Sequence, residues 1–303
     1  MNEKPPQRGT VAVIGTGMIG TAIALASRAA GYRVAGWDPD SAAVEIAWNR
    51  GALDRRETNL ESTVFQADLV VVAAPPAQVP VTVRAVLGAT TQSTAVTDVT
   101  SVKKPLESLA LADARYVPGH PMAGGERHGP EHADPSLFAG AAWPLCPVAS
   151  TQPAMFERVR RWVSDMGALP MPMDPERHDA AIALTSHLPH LLAYALFAQA
   201  VRRDSVDGLP VFALAAGGFH SSTRVAASDP DVWTDIVCSN RSAVAEELDA
   251  LIQALRAVSE ALRVDDETAV RERLRAGARR FESTSPECSK ETRFQRILPK
   301  SIP

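Results

Sequence analysis

The chain predicts an α/β fold in which a doubly wound parallel sheet is followed by an all-helical second half. Three observations predict it. Short apolar runs alternate with helical segments in the first half, no hairpin dipeptide joins those runs, and beyond about Pro175 only helical periodicity follows. Strands without hairpins between them need crossover connections, which makes the sheet parallel and covers both of its faces. At 303 residues the chain exceeds one typical domain, so two are expected.

Each element has its own signal. VAVI at 11–14 reads as a buried strand, and the glycine turn GTGMIG and the small-residue helix TAIALASRAAG follow it. YRVAGWD is a second strand ending at Asp38, SAAVEIAWNRG a helix, and ADLVVVAAP a third strand stopping at Pro75 and Pro76. The alternation continues through STAVTDVTS, ARYVPGHP and AAWPLCPV. Pro175 suits a helix start, and Pro189 inside HDAAIALTSHLPHLLAYALFAQAVRR predicts a kink or break. Leu248, Leu251, Ile252, Leu255, Val258 and Leu262 form a helical stripe that needs a partner, either a second subunit or this chain itself. From Ser283 the tail is polar and proline-broken, and is expected to be poorly ordered.

Composition narrows the function. Hydrophobic residues make up 46% and charged residues 22%, ordinary values for a chain that buries a core. A net charge of -4 offers no positive field to a phosphate backbone, so nucleic acid is not an expected partner. Cys146, Cys238 and Cys288 are scattered and lack C-x-x-C spacing, which fits reduced thiols in a cytoplasmic protein. The polar start MNEKPPQRGT carries no signal-peptide core, and no stretch reads as long enough to span a bilayer, so no membrane association is expected.

Between the first strand and its helix, Gly15, Gly17 and Gly20 spell G-x-G-x-x-G. The first glycine permits the tight turn, the second lets a pyrophosphate approach the backbone, and the third lets helix and sheet close up. This makes the first half a Rossmann-type dinucleotide-binding domain, placed at 10–174, with a helical domain at 175–282 and the tail at 283–303. Asp38, at the end of the second strand, suits a ribose 2′-hydroxyl and would repel a 2′-phosphate, so NAD is favoured over NADP. Gly15, Thr16, Gly17, Met18, Ile19, Gly20, Asp38 and Pro75 are the candidate cofactor contacts.

Chemistry in such sheets lies beyond the carboxyl ends of the strands. TDVTSVKK places Ser101 and Lys103 there, and YVPGHPMAGGE places His120 and Glu126. A neutral imidazole at His120 can take a proton from a hydroxyl or amine while hydride leaves the carbon bearing it. On the long helix, Ser186 and His190 lie one turn apart and His187 and His190 three positions apart, so some of them share a face. No H-E-x-x-H pattern or nearby acid completes a ligand set, so no metal is expected. His178 and Asp179 read equally as a helix-start feature complementing the dipole or as site residues.

GTGMIG, TSVK, GHPMAGGERHG, RHDAAIALTSHLPH and GGFHSSTRVAASDPDVWTDI, in this order, resemble the prephenate and arogenate dehydrogenase family. The resemblance runs from about Val11 to Arg280. It implies a helical domain that dimerises, NAD or NADP, and oxidative decarboxylation of a cyclohexadiene carboxylate. It gives His120 the histidine that hydrogen-bonds the C4 substituent and accepts its proton, and Ser101 the serine that orients it. It gives Arg224 the arginine that holds a substrate carboxylate, a role its guanidinium fork suits. His187, His190, Ser186 and Glu126 resemble further pocket residues.

One departure bears on the substrate. Relatives commonly carry a basic and an acidic residue before the Thr-Arg pair, where this chain has His220, Ser221 and Ser222. Prephenate, its 4-amino-4-deoxy analogue from a secondary pathway, and arogenate therefore all stay open. So does a non-catalytic NAD sensor that uses its helical domain only for association. The chain ends before the extra regulatory domain of some relatives, from which little feedback control is expected. A hydroxyacid dehydrogenase of the same plan needs a lysine in the second domain, and 175–283 contains none.

Overall fold

The structure is a computed structural model that describes residues 8–124 and 129–284, with the side chains of 279–284 left aside. The expected tail falls outside the described residues but for Ser283 and Thr284, which close the last helix. The chain divides into two compact units, Met1–Val244 and Ala245–Pro303.

In the first unit the strands are β1 (Thr10–Ile14), β2 (Arg33–Trp37), β3 (Arg55–Arg56), β4 (Leu69–Val72), β5 (Ala95–Asp98) and β6 (Tyr116–Val117). They form one six-stranded sheet in the order β3-β2-β1-β4-β5-β6, and every pairing is parallel. The crossovers carry α1 (Met18–Ala29), α2 (Ser41–Asn49), α3 (Leu60–Val64), α4 (Val79–Ala89) and α5 (Glu107–Ala112). Uniformly apolar strands arise because both faces are covered. Val11, Val13, Leu69 and Val71 point into one core, Ala12, Ile14, Val70 and Val72 into the other. The order reverses between β1 and β4, which opens a crevice at their carboxyl ends.

β7 (Ala142–Leu145) departs from the expectation that AAWPLCPV continues the same sheet. It pairs in parallel with β8 (Leu169–Pro172), after α6 (Pro153–Asp165), as a separate two-stranded sheet. Neither β8 nor β3 is visible in the sequence pattern. Pro144, Pro170 and Pro172 lack the N–H that a sheet interior requires, which confines these strands to a short pair. The other edge of β7 runs antiparallel to the His120 segment: Cys146 N–H donates to the Pro118 carbonyl, His120 N–H to Pro144 and Met122 N–H to Ala142. Behind it Trp143 and Trp162 meet edge to face at 5.3 Å, and the Trp162 indole donates to Ser27 Oγ at 3.0 Å.

The helical part begins with α7 (Pro175–Ile182), continues through a π-helical turn (Ala183–His187) and runs on as α8 (Leu188–Ser205). The interruption that Pro189 predicts thus falls just before it, and Pro189 occupies the opening turn of α8, where its missing N–H costs little. As a result Pro175–Ser205 is one helical run of 31 residues, apolar and long enough to cross a membrane. This corrects the expectation that no stretch reaches that length. α9 (Gly217–Thr223) and α10 (Pro230–Ser239) follow; α11 (Arg241–Arg263) and α12 (Glu267–Thr284) supply the second unit. Along α11 the stripe is half-buried at Leu248, Leu251, Ile252 and Val258, while Leu255 and Leu262 are exposed.

Trp162 is fully buried in the core that supports the His120 segment. Trp162→Ala is expected to cost about 3–5 kcal/mol of stability, read by urea unfolding. A loss below about 1 kcal/mol would mean that this core does not hold the sheet pair in place.

Candidate active site

Two clefts meet at Ser101. The first, of about 680 Å³, lies over the carboxyl ends of β1 and β4 and is lined by Gly15, Gly17, Met18, Ile19, Gly20, Asp38 and Pro75 among others. Gly15 turns the chain at φ +99°, and a Cβ there would sit 2.4 Å from the Ala73 carbonyl oxygen. A Cβ on Gly20 would sit 1.8 Å from the Gly15 carbonyl oxygen, so the helix can approach the strand only with glycine at both places. At Gly17 nothing lies within 4 Å of the equivalent point, and no side chain caps α1. The free amides of that helix start face an anion-sized space. Thr16 is buried beneath the loop: its N–H donates to Asp38 Oδ2 at 2.7 Å and its Oγ1 has no hydrogen-bond partner. Asp38 Oδ1 accepts the Asp40 N–H, and the lone pairs left on both oxygens suit ribose hydroxyls. These residues fit NAD.

The second cleft, of about 450 Å³, is lined by Ser101, His120, Ser186, His190, Arg224 and Trp233 among others. The structure therefore brings together five residues singled out in the sequence, and adds Trp233, whose ring stacks on His190 at 3.4 Å between centroids. His190 Nδ1 donates to the Ser186 carbonyl, which leaves Nε2 as an acceptor. Glu126 lies outside the described residues. His187 is not among the lining residues. The π-helical turn carries it inward, where it is fully buried, accepts from Asn240 Nδ2 at 3.2 Å through Nδ1 and meets Trp233 edge to face. With a donor already facing Nδ1, its proton belongs on Nε2, which is buried without a partner. Burial pushes the His187 pKa down to about 4.

His178 and Asp179 are the residues sequence reasoning underweighted. Neither caps α7: Asp174 does, accepting the N–H groups of Glu176 and Arg177. Instead His120 Nδ1 lies 3.0 Å from His178 Nε2, and His178 Nδ1 lies 2.7 Å from Asp179 Oδ1. The same carboxylate accepts the backbone N–H groups of Lys103 and Lys104, each at 2.8 Å. With His178 Nδ1–H donating to Asp179, its Nε2 accepts from His120 Nδ1–H. His120 Nε2 then keeps its lone pair for a ligand in the cleft. Burial, then the Lys103 ammonium and His178, hold the His120 pKa well below the ordinary imidazole range. The cue in the sequence was an adjacent His-Asp pair one turn inside a helix that packs on the TSVK turn. Lys103, expected to face the crevice, is fully buried behind it.

Residues 22–170 match the family model described as prephenate dehydrogenase, nucleotide-binding domain, and residues 174–276 that described as prephenate dehydrogenase, dimerization domain. The chain belongs to the prephenate dehydrogenase family. It is 31% identical over 262 residues to a cyclohexadienyl dehydrogenase of Zymomonas mobilis, spanning 84% of this chain and 89% of that one. A probable prephenate dehydrogenase, NovF, of Streptomyces niveus is 34% identical over 258 residues, 84% of this chain and 69% of that one. Among solved structures, the prephenate dehydrogenase of A. aeolicus in complex with hydroxyphenyl propionate and NAD+ superposes with a TM-score of 0.85 at 28% identity, covering 92% of this chain and 99% of that one. Synechocystis arogenate dehydrogenase follows at 0.79 and 25%, covering 90% and 99%. As a prephenate dehydrogenase family member the protein is an NAD-dependent, decarboxylating dehydrogenase.

The buried neutral histidines couple stability to pH. The pKa of His187 is lowered in the folded state, so between about pH 6.5 and 4 the unfolded chain binds the extra proton and stability falls as pH drops. Urea unfolding at pH 7 and pH 4.5 is expected to differ on the order of 1–3 kcal/mol for this reason, and His187→Gln should flatten the dependence. An unchanged slope in that variant would assign the pH dependence to other groups.

Proposed function

We propose that the protein oxidatively decarboxylates prephenate or a close cyclohexadiene analogue, yielding a 4-substituted phenylpyruvate, carbon dioxide and NADH. The observation that carries this reading is the His120–His178–Asp179 chain, which leaves an unprotonated nitrogen in a cleft sharing Ser101 with the nucleotide cleft. Bound NAD supplies the hydride acceptor. In the substrate the C4–H bond breaks with its electron pair leaving, the C1–carboxyl bond breaks with its pair entering the ring, and the ring becomes aromatic. The C4 substituent ends with the proton it began with. His120 therefore takes or shares that proton only while C4 is electron-poor, then returns it, a shorter task than the net acceptance the resemblance suggested. His178 and Asp179 keep the ring in the tautomer that permits this. Arg224, lining the same cleft, offers a bidentate donor to a substrate carboxylate.

The 4-amino analogue remains as a second reading, favoured by His220 and Ser221, which line a groove sharing Arg224 in place of a basic and an acidic residue. An acceptor at His120 Nε2 serves an N–H as well as an O–H. An alanyl side chain, as in arogenate, is the third possibility. We also propose a homodimer through the helical domain, supported by the dimerization-domain match and by exposed Leu192, Leu196, Phe197 and Val201 along α8. Sedimentation at micromolar concentration should show two chains.

Incubating the protein and NAD separately with prephenate, arogenate and 4-amino-4-deoxyprephenate, while following the near-ultraviolet absorbance of NADH, decides the substrate. Turnover of one in clear preference is expected, and none with any of the three would remove the proposal. His120→Asn is expected to lower kcat about 10²–10⁴-fold with NAD affinity kept. A non-catalytic sensor would show no difference. Asp38→Ala should weaken NAD far more than NADP, and equal use of both cofactors by the unmodified protein would count against the role of Asp38.

A further inference from the structure

Lys103 and Asp98 form an ion pair in which both side chains are fully buried, 2.6 Å from Nζ to Oδ2. Neither group lines a cleft, and pairing two desolvated charges is a poor source of stability compared with apolar packing. Their other bonds converge on one place. The Lys103 ammonium donates to the Gly119 carbonyl at 2.6 Å, and Asp98 Oδ1 accepts the Gly119 N–H at 3.1 Å. The peptide between Gly119 and His120 is thus held by Lys103 at its carbonyl and by the Pro144 carbonyl at its N–H. Asp98 is fixed in turn by the Tyr116 hydroxyl at 2.8 Å and the Thr100 N–H at 2.9 Å.

We propose that Lys103, seated on Asp98, is a positioning residue for His120 that fixes its backbone and sets the ammonium end of that ion pair at the peptide from which its ring projects. The inference rests on His120 being the proton acceptor of the reaction. A cation there disfavours a second one on the imidazole, in the direction in which His120 is displaced. The groups facing the ring from the packed elements are His178 and Asp179 on α7, His187 in the π-helical turn, and His190 and Arg224 across the cleft; Cys146, after β7, lies near the Lys103–Asp98 pair. Of these, Asp179 is already engaged by three N–H groups, one of them from His178. Lys103 is then the cation that the fold places at the Gly119–His120 peptide.

Replacing one partner would bury an unpaired charge, so the test removes both with the near-isosteric double variant Asp98→Asn, Lys103→Met. The His120 ring is followed by NMR titration without substrate, its signal assigned by loss in His120→Asn. In the double variant its midpoint should rise on the order of one pH unit, with kcat at pH 7 reduced about tenfold or more and NAD affinity within about twofold. Lys103→Arg, which keeps the cation, should leave the midpoint near that of the unmodified protein while lowering kcat. Should the double variant not fold, Asp98→Asn, Lys103→Gln, which keeps an N–H donor in place of the ammonium and buries no charge, carries the same titration. An uncharged variant whose His120 stays neutral to the same pH as the unmodified protein overturns the inference, as does an arginine variant that shifts as far as the uncharged one. Because the titration uses no substrate, its failure and a failure of the substrate assignment are told apart.

Discussion

The carboxylate of Asp179 is the constraint on which the site depends. It sits in α7 of the helical part, nearly buried, and accepts three N–H groups, two from the backbone of Lys103 and Lys104 after β5 and one from His178. One side chain therefore docks the first helix after the sheet onto the turn bearing Ser101, and in the same stroke sets the tautomer of His178. The tautomer passes on: His178 Nε2 accepts, His120 Nδ1 donates, and the outward nitrogen of His120 is left basic. A structural docking contact and a catalytic orientation are here a single hydrogen-bond chain, so changes at Asp179 act on both.

The other half of the arrangement is backbone. The His120 segment does not belong to the parallel sheet; it is stitched antiparallel to β7 by the amides of Cys146, His120 and Met122. That stitching explains a short two-stranded sheet with three prolines beside the main one. β7 needs only enough pairing to present an edge to residues 118–122, and β8 covers its other side. The long aromatic side chains behind it, Trp143, Trp162 and Phe138, give the edge a rigid backing.

Much of this was legible in the residues. The order of apolar runs yields the sheet, because strands buried on both faces must be continuously hydrophobic, and the three glycines with Asp38 yield the nucleotide cleft, because Gly15 and Gly20 answer distances that no Cβ tolerates and Gly17 leaves the helix start open. His120, Ser101, Ser186 and His190 were found by their position after strands or on one helical face and Arg224 by the family resemblance, and the structure gathers them. What stayed hidden depends on long-range geometry. A π-helical turn breaks the 3.6-residue register, so His187, a pocket residue by the resemblance, faces the interior while Ser186 and His190 line the cleft. β3 and β8 are two and four residues long and polar or proline-rich, with no periodicity to read. The contacts that His178 and Lys103 make were not readable locally, since their partners lie 58 and 16 residues away.

The same hydrogen bonds define what the second cleft can recognise. His120 has its Nδ1 proton committed to His178, and His190 has its Nδ1 proton committed to the Ser186 carbonyl, so each neutral ring keeps one acceptor nitrogen. Burial lowers the pKa of both, which keeps those acceptors available near neutral pH. Arg224 on the same wall can only donate. A cleft with two neutral acceptors and a guanidinium suits a molecule with a hydroxyl or amine at one end and a carboxylate at the other. It discriminates poorly between the hydroxyl and the amine, since a lone pair accepts from either. The surroundings of Arg224, where His220 and Ser221 stand, bear on the opposite end of a molecule so placed. His220, Ser221 and Arg224 line one groove there. The acceptor nitrogens are held by hydrogen bonds to His178 and to the Ser186 carbonyl, whereas the groove beside Arg224 is walled by a short helix whose side chains are mostly exposed.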